Sequence, residues 1–96
     1  MRYRSRIEII SKVLDAANGG GATRTKIMYR AYLSYTQMKE YVELLTERGL
    51  LSYDLDRQTF RTTEKGLRFL QAYNQISDMI NEEEEEDSQQ KMRIYR

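Results

Sequence analysis

Residues 34–66 constrain the fold more than any other stretch of the chain. Ser34-Tyr35-Thr36-Gln37 has the spacing of a capping box, in which the serine oxygen accepts the Gln37 backbone N–H and the Gln37 side chain returns to the serine N–H. A helix therefore opens at Ser34. Met38, Tyr41, Val42 and Leu45 recur three and four apart and give it one apolar stripe, while Gly49 stops it with Leu50 packed behind. The period then changes. Leu51-Ser52-Tyr53 and Thr59-Phe60-Arg61 alternate as half-buried strands do, around a polar turn at Asp54-Leu55-Asp56-Arg57-Gln58. Thr63 caps the next helix, with Glu64 in its first turn, where the helix dipole favours an acid.

Two helices precede this stretch. Ile7, Ile10, Val13, Leu14 and Ala17 mark one face of a helix from about Arg4 to Ala17. Asn18 and three glycines close it and read as a flexible linker. The glycine run lacks the Lys-Ser/Thr ending of a phosphate-binding loop. A short helix follows from Thr25 to Ala31, capped by Thr23 or Thr25, with Ile27, Met28 and Ala31 on its inner side. The last helix runs from Glu64 to at least Ile80. Helix, helix, helix, hairpin, long helix is the order of a winged helix-turn-helix, mainly α with a small β component (α+β). The chain divides into a winged helix-turn-helix domain at 1–62, a C-terminal helix packed on it at 63–81, and an acidic, polar, flexible tail at 82–96.

At 96 residues the chain is one domain with a small core. It has no cysteine, so disulfides and thiolate metal sites are excluded, and no histidine, which removes the commonest general base. Asp54 and Asp56 are the only close aspartate pair. Turn chemistry explains them, so no catalytic constellation, metal site, cofactor or small-molecule ligand is expected, and the chain does not read as an enzyme. No apolar run reaches the length of a membrane span, and the basic start has no apolar core of a secretory signal. A cytoplasmic protein is expected. The charge is uneven: residues 1–81 carry 13 Lys/Arg against nine Asp/Glu, a net +4, and residues 82–96 three against six, a net −3. The basic body suits a polyanion.

In a helix-turn-helix the third helix enters the major groove of DNA and its first residues reach base edges. Its outward positions are Tyr35, Thr36, Lys39, Glu40 and Glu43. Lys39 can donate to guanine and Thr36 can meet a base edge or a thymine methyl. Gln37 can pair with adenine only if the capping box does not hold it. Glu40 and Glu43 read as a solvated face. Phosphate contacts are expected from Arg24, Lys26 and Arg30 on the second helix, Ser34 at the start of the third, and Arg57 and Arg61 in the wing. Arg2, Arg4 and Arg6 form a second basic set, either an arm on DNA or, slightly favoured, a solubilising end to the first helix. Tyr29, Tyr32, Tyr35 and Tyr41 read as core edges and phosphate donors in preference to a single-strand stacking surface.

In the last helix, Phe69, Tyr73, Ile76 and Ile80 are spaced four, three, four, a heptad seam for a homodimeric coiled coil, with Leu67 and Leu70 free to face the body. The six acids from Glu82 to Asp87 form a solvated block through which a helix can continue.

The stretch from Thr25 through Arg48-Gly49-Leu50-Leu51, together with Thr62-Thr63-Glu64-Lys65-Gly66 after the wing, resembles the archaeal ten-kilodalton DNA-binding chromatin proteins and the predicted transcriptional regulators related to them. The resemblance spans about residues 5–80. It implies double-stranded DNA binding in the nucleoid and a homodimer held by the C-terminal helix. This chain departs from the pattern where the acidic run begins after Ile80, which shortens the seam. The competing reading is a winged-helix protein-interaction module, favoured by Glu40, Glu43 and Glu47 on the third helix.

Overall fold

The computed structural model describes residues 4–94, with side chains described through residue 80. Four helices and a two-stranded hairpin follow one another as α1 (Arg6–Ala17), α2 (Arg24–Ala31), α3 (Tyr35–Glu47), β1 (Leu51–Asp54), β2 (Thr59–Thr62) and α4 (Glu64–Ile94).

Each helix begins at a hydroxyl cap. Ser5, Thr23 and Ser34 accept the N–H of Glu8, Lys26 and Gln37, respectively, and Thr63 accepts that of Gly66. The α3 C-terminus is a Schellman turn. Leu50 N–H donates to the Leu45 carbonyl (2.8 Å) and Gly49 N–H to that of Thr46 (3.1 Å), with Gly49 at φ +75°. The Thr63-Glu64-Lys65-Gly66 run ties α4 to this end of α3. The Thr63 hydroxyl donates to the Gly49 carbonyl (2.6 Å) and Lys65 Nζ to that of Arg48 (2.7 Å). Gly66 is buried where a Cβ would overlap the Leu50 carbonyl oxygen and crowd the Thr62 methyl.

Leu14, Ile27, Met38, Leu45, Leu51 and Val13 are fully buried among the three short helices and the hairpin. Sequestering each such side chain is worth roughly 1.5–3 kcal/mol. Leu70 brings α4 onto α1, and the Thr62 hydroxyl donates to the Leu14 carbonyl (2.6 Å), fixing β2 against α1. Two expectations change here. Ile7, placed on the inner face of α1, is 56% exposed. It lies nearly two turns before the fully buried Val13 and Leu14, near the start of the helix. The Gly19–Gly21 run is more than a linker: Ala22 and Phe60 exchange both backbone hydrogen bonds at 2.8 Å, adding a one-residue bridge to the edge of the wing. Gly21, at φ +88°, lies where a Cβ would press on the Phe60 carbonyl and the Arg61 stem. The helix α4 continues through the acidic run, as the sequence allows; the side chains of that run lie outside the described ones.

Candidate nucleic-acid interface

Both halves of the capping box form at the start of α3. Gln37 N–H donates to Ser34 Oγ (3.2 Å) and Ser34 N–H to Gln37 Oε1 (3.0 Å). A bidentate pairing of Gln37 with adenine needs that same carbonyl, so the cap removes Gln37 as such a reader while it stands. Gln37 is also about 200° around the helix from Lys39 and does not share its face. Tyr35, Thr36 and Lys39 are exposed, with the backbone N–H groups of Tyr35 and Thr36 at the open, anion-favouring end of the helix.

Between α3 and the wing runs an open groove of about 700 Å³. Tyr35, Lys39, Val42, Glu43, Thr46 and Glu47 form one wall, and Arg24, Tyr53 and Phe60 the other. Tyr53 and Phe60 are directly paired across the hairpin, with ring centroids 4.9 Å apart. The Arg24 guanidinium lies over both rings, 5.2 Å from the Tyr53 centroid and 5.0 Å from that of Phe60. The groove thus holds two cations and two carboxylates on an aromatic floor.

The other predicted phosphate-contacting cations do not line this groove. Lys26 and Arg30 are exposed on α2, and Arg57 is exposed in the hairpin turn. Asp54 Oδ1 shapes that turn by accepting the N–H groups of Asp56 (3.1 Å) and Arg57 (3.2 Å). Arg61 instead turns back toward the Gly19 carbonyl (3.5 Å). Arg4 donates to the Tyr32 carbonyl (2.9 Å), and Arg6 lies 6.0 Å from the Tyr41 ring centroid, so both fold back onto the helix-turn-helix; Arg2 lies outside the described residues. Tyr32 sits at φ +54° in the turn between α2 and α3, a left-handed conformation uncommon for a bulky residue.

Tyr29, Tyr32 and Tyr35 are exposed, so the expectation of core edges holds only for the half-buried Tyr41. Tyr29 lies about 200° around α2 from the buried Ile27 and Ala31, so it faces outward. The sequence reading missed Tyr53 and Phe60 as groove residues. Their signal was the matched aromatic position in each arm of the hairpin. Among the described residues, no group of three acids, cysteines or histidines is placed to hold a metal ion, and no helix is long and apolar enough to cross a membrane.

On α4, Phe69 and Tyr73 are half-buried, while Ile76 (61% exposed), Met79 and Ile80 carry the apolar stripe out beyond the body.

Helix-turn-helix, paired wing and terminal helix define a winged-helix protein. A family profile described as winged helix-turn-helix matches residues 3–81, and the chain belongs to that family. An uncharacterised protein of the archaeon Methanocaldococcus jannaschii is 27% identical over 81 residues, covering 83% of this chain and 81% of the relative. Among solved structures, Sso10a-2, a DNA-binding protein from Sulfolobus solfataricus, superposes with a TM-score of 0.67 at 21% identity, over 90% of this chain and 95% of that one. The S. aureus MepR–DNA complex gives 0.63 at 15% identity, over 88% and 73%. At these identities the two structures establish the shared fold.

Proposed function

We propose that the protein binds double-stranded DNA as a transcriptional regulator or chromatin-associated protein, with α3 in the major groove and the wing on the backbone. The observation that carries this reading is the convergence of Arg24, Lys39 and the open N-terminus of α3 on one exposed groove. In this reading Tyr35, Thr36 and Lys39 meet base edges, and Arg24, Lys26, Arg30, Ser34 and Arg57 contact phosphates. Arg61 reaches a phosphate only by leaving Gly19. The described names of Sso10a-2 and of the MepR complex, both concerned with DNA, support the same reading. On this account the protein works in the cytoplasm, on the chromosome, and needs no catalytic group.

The exposed Ile76, Met79 and Ile80 support a homodimer through α4. A two-fold dimer would present two α3 helices to a pseudo-palindromic site. The acidic face of α3, with Glu40, Glu43 and Glu47, favours the second reading, a protein-interaction module. Titrating a short duplex into isotope-labelled protein separates them. Amide shifts concentrated at the start of α3, on α2 and at the hairpin turn are expected, and shifts absent from these segments would remove the DNA reading.

A further inference from the structure

Arg24 sits in a divided groove. One wall offers the Tyr53 and Phe60 rings beneath its guanidinium, and the other offers the carboxylates of Glu43 and Glu47. For a guanidinium free to swing, carboxylates lining the same groove compete with any phosphate. A planar cation over aromatic faces, by contrast, keeps its N–H edges open for bidentate contact with an anion. The two rings are not equivalent. Phe60 is 4% exposed and its backbone bridges to Ala22, so it belongs to the core, whereas Tyr53 is 36% exposed at the groove edge.

We propose that Tyr53 is a positioning residue for DNA binding: its ring, paired with Phe60, holds Arg24 against the wing side of the groove, ready for a backbone phosphate. The assignment rests on the DNA-binding reading above and deepens it. The ring acts through its face, so the hydroxyl is dispensable.

Fluorescence anisotropy with a labelled duplex over a salt series tests this on the full chain, comparing wild type with Tyr53→Leu, Tyr53→Phe and Arg24→Ala. An exposed cation–aromatic contact is worth about two- to five-fold in affinity. Tyr53→Leu should weaken binding by roughly that factor and lower the log–log salt slope toward that of Arg24→Ala, by up to about 0.9, the value of one phosphate contact. Tyr53→Phe should match wild type, and adding Tyr53→Leu to Arg24→Ala should cost nothing further. Wild-type affinity and slope in Tyr53→Leu would overturn the assignment and leave DNA binding standing. Equal weakening in Tyr53→Phe and Tyr53→Leu would overturn it in favour of a hydroxyl contact. Absence of duplex binding by the wild type would instead overturn the reading beneath it.

Discussion

Gly66 packs against the carbonyl oxygen of Leu50 so closely that α4 can leave the wing only because this position carries no side chain. Gly49, one residue before Leu50, is a glycine for a different reason: it has open space around it but holds φ +75°. The two make a matched pair. Gly66→Ala forces backbone or helix displacement and should cost about 2–3 kcal/mol, in the range of overpacked sites. Gly49→Ala carries only the left-handed backbone penalty, about 1 kcal/mol. Urea denaturation of both variants checks the order.

The capping box at α3 predicts a stability effect. Ser34→Ala should cost about 1 kcal/mol, read as a lower denaturation midpoint with an unchanged m-value. Gln37→Ala should also destabilise while leaving base preference intact, because its carbonyl is engaged within the protein. A changed preferred site in Gln37→Ala would return it to the base-reading set.

The α4 seam predicts self-association. Light scattering at tens of micromolar should give twice the chain mass for wild type, and Ile76→Glu with Ile80→Glu should give the monomer mass. Both side chains are more than half exposed in the single chain, so the double variant should stay folded. A monomeric wild type would contradict the dimer.

Legibility in the sequence followed local periodicity. The α3 helix was readable from Ser34, Gln37 and Gly49 because caps and stops act over three or four residues, and the hairpin from its alternating apolar positions. The Ala22–Phe60 bridge was not readable, because one paired residue has no period and its preceding glycines read equally well as a linker. The reason for Gly66 was hidden too: the group it avoids, the Leu50 carbonyl, lies sixteen residues back in sequence. The candidate groove was half legible. Tyr35 and Lys39 follow from helix geometry, but the approach of Arg24 to Tyr53 and Phe60 needs α2 and the wing brought together by the tertiary fold.

The central claim is that the face built by α3, α2 and the wing binds duplex DNA. Duplex affinity measured by anisotropy across a salt series, with Lys39→Ala and Arg57→Ala beside wild type, tests it most directly. The account predicts a linear fall of log affinity with log salt, at about 0.9 per phosphate contacted. Lys39→Ala should lose preference between duplex sequences, and Arg57→Ala should weaken all of them equally with a shallower slope. No binding at low salt, or binding that ignores salt and both substitutions, would contradict it.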